Sequence, residues 1–316
     1  MTRRLFTAVL ILSGLLGLVA CPRAGAHVSQ VKNSSEVKAY DLMRTESTKH
    51  EMGDAYLLAY ASCYVFPDLL GVKDRNDHKD FTEVFADKFK PLGVRRVKYV
   101  SDVKTSTEVV IMTTDSAVIV VFRGSEIADT TAMIKDWLTD VKVLMVKTPE
   151  LGKGVKVHRG MWRAVDSVHK YVVKEVEEQG GFDKKRVYAT GHSLGGGLAL
   201  VSAVRMHAEG KGKATVYTFG SPRTGNPEFR KAAGDLEVHR WVNRKDVVPM
   251  LPSDRWLDYR HVGLTHNIKD NNEVYLDDVE IRAWAGNPKQ HHVYHYLRGL
   301  YANLPDDLKS KMPESP

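Results

Sequence analysis

Three residue types that together perform nucleophilic catalysis lie in separate parts of the sequence. Ser193 is enclosed by glycines in GHSLG (191–195), Asp246 lies in NRKDVVPMLP, and QHHVYHYLRGL (290–300) carries three histidines. A serine hydroxyl is a poor nucleophile at neutral pH, so it needs a base to accept its proton and an acid to orient that base. These residues therefore raise the hypothesis of a Ser-His-Asp hydrolase.

The glycines around Ser193 predict a sharp turn between a strand and a helix. The pattern G-x-S-x-G needs glycines because side chains there would collide with the neighbouring strand and helix. The segment RVYAT (186–190) before it is typical of a strand, and LALVSAV (198–204) after it is typical of a helix. We therefore expect Ser193 just before a helix N-terminus, where backbone N–H groups can stabilise an oxyanion.

The elements that must position these residues alternate along the chain. Residues 108–125, EVVIMTTDSAVIVVFRGS, predict a hairpin whose second strand is buried throughout, and residues 160–180 have apolar side chains at helical spacing. This alternation predicts an α/β fold with a mainly parallel central sheet and helices on both faces. Because no Pro/Gly/Ser linker divides residues 27–316, we expect a single domain. Residues 27–50 are polar and predict a loosely attached start.

The first 26 residues have the pattern of a secretory signal peptide. A basic MTRR precedes an apolar run, and AGA before His27 offers a cleavage site. The apolar run is shorter than the roughly 20 residues that a membrane-spanning helix needs. We expect a secreted or periplasmic protein, with the alternative that LVAC, ending at Cys21, is a site of lipoprotein anchoring.

Charge and cysteine content exclude some classes of protein. Removal of the leader takes away three arginines and no acid, which lowers the formal net charge from +7 to +4. The chain has no dense basic tract, so nucleic acid is not an expected partner. Cys63 is then the only cysteine, so we expect no internal disulfide and a buried thiol.

Several motifs taken together resemble the class 3, or fungal-type, lipases, a family of α/β-hydrolases. The motifs are YATGHSLGGGLA, VVFRGS, VHRGM, FGSPRTGN and NRKDVVPMLP, and they occur in the family's order over residues 52–300. The resemblance implies an α/β-hydrolase fold and a triad in the chain order Ser, Asp, His.

The preferred acid is Asp246, which follows a strand predicted to end at Trp241–Val242. The resemblance supports it, because the family's triad aspartate occupies the same place in a D-x-V-P motif. Asp254 and Asp258 remain alternatives.

The preferred base is His291, with His292 as the alternative. Several branches of the family have a tyrosine five residues after the base, as Tyr296 follows His291, whereas the filamentous-fungal pattern selects His292. His295 is expected to be a bystander on the following helix. A metal site shared by His291 and His295 lacks the acidic partner of H-E-x-x-H, so we expect no metal. Three other histidines also follow the serine: His239, His261 and His266.

The oxyanion of the reaction needs two N–H donors. One is expected at Leu194, directly after the serine, and the resemblance places the other at Ser125 after the buried strand. The resemblance also implies a lid over the active site in the next segment. The apolar face of that segment comprises Met133, Ile134, Trp137 and Leu138.

The predicted function is hydrolysis of carboxylic esters of lipids, first of all triacylglycerols, at a lipid–water interface. The same machinery would serve a phospholipase A1 or a feruloyl-type esterase. An alternative of another class is a non-catalytic lipid-binding protein on the same fold. No metal or organic cofactor is expected, since the triad needs none.

Overall fold

The computed structural model describes most of the chain between residues 38 and 315. The described ranges are 38–43, 48–74, 77–125, 144–252, 257–276 and 287–315. All of them lie in one structural unit, Ser34–Pro316. The predicted leader, 1–26, and the predicted lid residues between 133 and 138 lie outside the described residues.

The middle layer of the fold is an eight-stranded sheet. The described strands are β1 (Arg96–Asp102), β2 (Thr107–Thr113), β3 (Ala117–Phe122), β4 (Met145–Lys147), β5 (Lys156–His158), β6 (Arg186–His192), β7 (Thr215–Phe219), β8 (Val238–Asn243), β9 (Leu264–Ile268) and β10 (Val274–Leu276). The sheet has the order β1-β2-β3-β6-β7-β8-β9-β10, and β4 pairs with β5 separately. Strands β3, β6, β7, β8 and β9 are parallel, whereas β1, β2 and β10 pair in antiparallel fashion. The predicted hairpin and the mainly parallel sheet are confirmed.

Helices cover both faces of this sheet. The described α-helices are α1 (Thr48–Tyr64), α2 (His78–Phe89), α3 (Arg159–Glu178), α4 (Leu194–Ala208), α5 (Pro227–Ala232), α6 (Val293–Ala302) and α7 (Asp306–Lys309). Residues of α1, α2 and α6 share one apolar core with Val121 of β3, and residues of α3 and α4 share the other core with Val120. Successive side chains of a strand point to opposite faces, so the continuous valine-rich run of β3 serves both cores.

The prediction of a loosely attached start at residues 27–50 is wrong for its later part. Ala39–Leu42 form a 3₁₀ helix, Tyr40 is fully buried, and its hydroxyl donates to the Leu57 carbonyl of α1 over 2.8 Å. One buried aromatic anchors this polar segment, because an aromatic ring buries a large apolar area and its hydroxyl finds a partner.

Parallel strands bring the candidate site residues to one edge of the sheet. Ser125 follows the carboxyl end of β3, Ser193 follows β6, Gly220 follows β7 and Asp246 follows β8. Ligands of open α/β sheets bind outside the carboxyl ends of the strands. The fold therefore collects residues that are far apart in sequence at the edge where a site is expected.

A carboxyl group is buried beneath the strand that leads to Ser193. Asp54 of α1 is 8% exposed, and Tyr188 Oη of β6 lies 3.4 Å from its Oδ2. Burial raises the pKa of the Asp54 carboxyl to about 7, although the bond from Tyr188 and the charge of Arg186 act in the opposite direction. The folded protein therefore keeps a proton on Asp54 at pH values where the unfolded chain has lost it.

This burial makes stability depend on pH in a defined direction. Because the folded pKa lies above the unfolded value of about 4, the stabilising effect of protonation is complete below pH 4 and is lost as pH rises to 7. Replacing Asp54 by asparagine removes the contribution of this carboxyl to the pH dependence of stability. The free energy of unfolding should be similar for the two proteins at pH 4, and at pH 8 Asp54→Asn should be more stable by up to about 4 kcal/mol. Urea titrations across this range measure the difference, and a difference that does not vary with pH contradicts the assignment.

Candidate active site

Ser193 lies on a strained turn between β6 and α4. Its backbone has φ 59° and ψ −130°, outside the regions that non-glycine residues ordinarily adopt, and the residue is fully buried. Its N–H donates to the Phe219 carbonyl of β7 over 2.9 Å, which fixes the turn to the neighbouring strand. The predicted strand–turn–helix arrangement around Ser193 is thus present in the structure.

The glycines on either side of Ser193 allow its turn to approach its neighbours. A Cβ at Gly191 would lie 2.3 Å from the carbonyl carbon of Gly195 in α4, and one at Gly195 would lie 2.3 Å from the Phe122 carbonyl oxygen of β3. Real Cβ atoms do not approach backbone this closely. The requirement for glycine in G-x-S-x-G therefore follows here from contacts with both the helix and the next strand.

The loop after β3 lies against this turn. A Cβ at Gly124 would lie 2.5 Å from the His192 carbonyl oxygen and 3.4 Å from Ser193 Cβ. Ser125 follows directly and is half-buried. Leu194 is the first residue of α4, so its N–H lies among those without an acceptor inside the helix. The structure thus brings the segments of both predicted oxyanion donors next to Ser193.

An ion pair fastens the base of that loop to the sheet. The half-buried guanidinium of Arg123 bonds the Glu108 carboxylate of β2, and the Arg123 N–H donates to the Glu108 carbonyl over 3.0 Å. Charge-assisted bonds of this kind, screened from water, are stronger than exposed ones. The position of Gly124 and Ser125 therefore depends on β2 as well as on β3.

Asp246 is held by three hydrogen bonds in a loop after β8. It is 1% exposed, and its Oδ1 accepts the Val248 N–H over 2.9 Å. Its Oδ2 accepts from Tyr296 Oη at 2.5 Å and faces His291 Nδ1 at 2.7 Å. A buried carboxylate stays charged only where donors satisfy it. The strand itself ends at Asn243, one residue later than predicted.

His291 reaches Asp246 from a short 3₁₀ helix, Pro288–His291, and is 4% exposed. Its segment is tied to the loop of the acid, because Asn243 Nδ2 donates to the Gln290 carbonyl over 3.0 Å and the Asn287 N–H donates to the Lys245 carbonyl over 2.8 Å. Nδ1 is occupied by Asp246, which leaves Nε2 as the nitrogen able to accept a proton.

The other two histidines of the cluster have different surroundings. His292 is the N-cap of α6, and its Nδ1 accepts the Tyr294 N–H over 3.3 Å. Burial lowers the pKa of His292 to about 4, and also lowers the pKa of His295 on α6. Of the two registers left open by the sequence, the structure pairs His291 with Asp246 and uses His292 to cap a helix.

The remaining candidates from the sequence have partners of their own. His239 Nδ1 lies 3.0 Å from His266 Nε2, and His261 Nε2 donates to the Pro249 carbonyl over 2.6 Å. Asp258 is exposed and forms an ion pair with Arg260 at 3.1 Å. Asp254 lies outside the described residues.

Two residues that sequence reasoning did not assign to the site link its parts. His192 Nε2 donates to the His291 carbonyl over 2.6 Å, and the two imidazole rings lie 4.5 Å apart. Gly220, at φ 62°, passes so close to the pair that a Cβ there would lie 2.8 Å from Asp246 Oδ2, 2.9 Å from Tyr296 Oη and 3.0 Å from His291 Cε1. The glycine of FGSPRTGN was the one signal that could have indicated this contact.

The reactive atoms of the candidate triad are buried and unbonded. Among the described residues, neither Ser193 Oγ nor His291 Nε2 has a hydrogen-bond partner. Burial, together with His291, lowers the pKa of His192 well below its usual value, so that this neighbouring ring is neutral and donates through Nε2. Buried polar atoms without partners are rare in folded proteins. A catalytic role is one explanation for them.

Across the described ranges, no helix is long and apolar enough to span a membrane.

Known proteins resemble this chain over the region that contains most of the site. The family described as "Lipase (class 3)" matches residues 119–256. The lipase of Rhizomucor miehei is 31% identical over 177 residues, which cover 52% of this chain and 47% of that protein. Phospholipase A1-II 1 of Oryza sativa subsp. indica is 28% identical over 209 residues, which cover 58% of this chain and 49% of that protein. The chain thus spans about half the length of each of these relatives.

A solved structure shares the fold. The triacylglyceride lipase of Rhizomucor miehei matches with a TM-score of 0.58 over 78% of this chain and 94% of that chain, at 23% sequence identity. Similarity at this level of identity concerns the arrangement of strands and helices, and it agrees with the predicted α/β-hydrolase fold. The chain thus resembles the class 3 lipases over residues 119–256 and shares the fold of a solved lipase.

Proposed function

We propose that this protein is a serine hydrolase that cleaves carboxylic esters of lipids. The observation that carries the proposal is the buried pair of His291 Nδ1 and Asp246 Oδ2, 2.7 Å apart, beside a strained serine whose hydroxyl has no partner among the described residues. A serine, a base and an acid that orients the base are recognised by their geometry and roles rather than by their position in the sequence.

In the first half of the reaction, Ser193 Oγ attacks the ester carbonyl carbon and His291 Nε2 accepts the hydroxyl proton. Asp246 stabilises the imidazolium that forms, without accepting a proton itself. The N–H groups of Ser125 and Leu194 bind the oxyanion of the tetrahedral intermediate. Collapse of this intermediate breaks the bond to the alcohol oxygen, which takes the proton from Nε2 and leaves an acyl-serine.

In the second half, a water molecule takes the place of the alcohol. His291 Nε2 removes one of its protons as the water oxygen attacks the acyl carbon, and the same two N–H groups bind the second oxyanion. When this intermediate collapses, Nε2 returns the proton to Ser193 Oγ. A carboxylic acid leaves, and the residues return to their starting states, so the cycle needs no other reactant.

We infer that the substrates are triacylglycerols, with phospholipids as the second candidate. The similarity to the Rhizomucor miehei lipase supports the first, and the similarity to a rice phospholipase A1 supports the second. The apolar residues in the sequence of the predicted lid segment, Trp137 among them, favour an insoluble substrate, because exposing apolar side chains to lipid costs less free energy than exposing them to water. The leader pattern in residues 1–26 supports secretion, which would bring the enzyme to such substrates.

Activity and labelling test the proposal together. The protein should hydrolyse emulsified triacylglycerol faster than phospholipid vesicles or a soluble feruloyl ester, and a fluorophosphonate should label it on Ser193. Ser193→Ala should lose both labelling and at least about 1,000-fold of kcat/KM. The matched control is Ser202→Ala, which removes a buried serine hydroxyl within the following helix α4 and should leave both labelling and kcat/KM unchanged.

The possible outcomes separate the candidates. Faster turnover of phospholipid assigns the phospholipase A1 activity instead. Absence of both turnover and labelling in the presence of detergent overturns the proposal that the protein is an enzyme. That result favours a non-catalytic lipid-binding protein.

Gly220→Ala tests whether the cluster of Asp246, Tyr296 and His291 depends on the space left by this glycine. The new methyl group would contact Asp246, Tyr296 and His291, so we expect kcat/KM to fall by at least about 100-fold. Gly210→Ala is the matched control, since Gly210 has a similar φ of 71° with nothing within 4 Å of the added Cβ. Both variants carry the same kind of backbone strain, so thermal melts should show a loss of stability in each, and a larger one in Gly220→Ala because its methyl group also crowds buried side chains. Equal activity of the two variants contradicts the role given to Gly220.

A further inference from the structure

The carboxylate oxygen that faces the candidate base also accepts a second hydrogen bond. Tyr296 Oη lies 2.5 Å from Asp246 Oδ2, and His291 Nδ1 lies 2.7 Å from the same atom. All three side chains are 4% exposed or less. The distance from Tyr296 is that of a charge-assisted O–H···O⁻ bond, the strongest kind that a neutral donor forms with a carboxylate.

Two donors on one oxygen compete for its charge. A bond from the tyrosine hydroxyl stabilises the negative charge on Oδ2, and so leaves less of it to stabilise a positive charge on the imidazole. Burial and the charge of Asp246 raise the pKa of Tyr296 well above its usual value, so the hydroxyl remains a neutral donor throughout the working pH range.

The other contacts of the pair do not depend on Tyr296. Asp246 Oδ1 keeps its bond from the Val248 N–H at 2.9 Å, and the His291 main chain is held by His192 Nε2 at 2.6 Å. Removal of the Tyr296 hydroxyl therefore leaves both the carboxylate and the imidazole segment anchored. We expect this removal to change how strongly Asp246 stabilises a positive charge on His291, and to change the positions of the two side chains less.

We propose that Tyr296 is a positioning residue that, by sharing Asp246 Oδ2, limits how strongly the carboxylate stabilises protonated His291 and so sets the pH at which the enzyme becomes active. This inference rests on the proposed function. Tyr296 acts through its hydrogen bond to Asp246, the proposed acid, and does not itself touch the substrate.

The charged and titratable surroundings leave this effect visible. Among the described residues, the ionisable groups that act on the pair or on its neighbours are His192 at the end of β6, Arg240 of β8, and His292, His295 and Arg298 around α6. Lys245, next to the acid in sequence, forms an ion pair with Asp270 at 2.8 Å. Burial lowers the pKa of each of the three histidines and so favours their neutral forms.

Tyr296→Phe tests the proposal, because it removes the hydroxyl and keeps the ring. The midpoint of the acid limb of kcat/KM should move about one unit to higher pH, while KM and the turnover on the plateau change less than tenfold. Tyr40→Phe is the matched control: it removes the hydroxyl of another fully buried tyrosine, which donates to the Leu57 carbonyl away from the site, and should leave the midpoint unchanged. A folded Tyr296→Phe whose midpoint does not move, or moves to lower pH, overturns the proposal.

A second substitution keeps the fold and reverses the effect. Site-specific incorporation of 3,5-difluorotyrosine at position 296 makes the phenol a stronger donor, so the midpoint should move to lower pH than in the native enzyme. An unchanged or higher midpoint contradicts the proposal. A titration of the His291 imidazole by NMR in protein with ¹⁵N-labelled histidine should show the same two shifts without reference to turnover. Absence of hydrolysis in the native protein would thus reject the proposed enzymatic function. The imidazole titration would still decide whether Tyr296 acts on the pair.

Discussion

A buried carboxylate that must keep its charge is the constraint on which the site depends. Asp246 is almost completely removed from water, and an uncompensated charge there would cost several kcal/mol. Three donors compensate it: a backbone N–H two residues further along, an imidazole and a phenol. Two of these donors come from the segment around α6, so the carboxylate fixes where the C-terminal part of the chain lies relative to β8.

The sheet and the glycines make this compensation possible. Parallel strands end at one edge, and the turn at Gly220 approaches the acid and its donors more closely than a residue with a Cβ could. The same reasoning holds at Ser193, where Gly191 and Gly195 let strand, turn and helix meet. In both places the absence of a side chain is what permits charged and reactive groups to come together, and the strain at Ser193 is held by the surrounding contacts.

The sequence predicted the local features well and the contacts between distant segments poorly. The turn at Ser193 and the buried strand β3 were predictable, because glycine spacing and a run of apolar residues determine them locally. Asp246 was predicted as the acid from its own motif, and the strand before it ends one residue later than predicted. The hydrogen bond from Tyr296 to Asp246 was not predictable, since the two residues lie 50 residues apart and only the fold brings them together. The hydrogen bond between His192 and His291 joins residues that are 99 positions apart in the sequence, and the same explanation holds there. Tyr40 was missed because one aromatic in a polar segment gives no periodic signal.

The central claim is that Asp246 orients His291 as the base, whereas the adjacent His292 caps the N-terminus of α6. Parallel measurement of kcat/KM for His291→Ala and His292→Ala on the same lipid ester tests it most directly. The account predicts that His291→Ala loses at least about 1,000-fold of kcat/KM, while His292→Ala keeps its activity within about tenfold and loses on the order of 1 kcal/mol of stability with the helix cap. A large loss of kcat/KM in folded His292→Ala, with His291→Ala still active, would contradict the account.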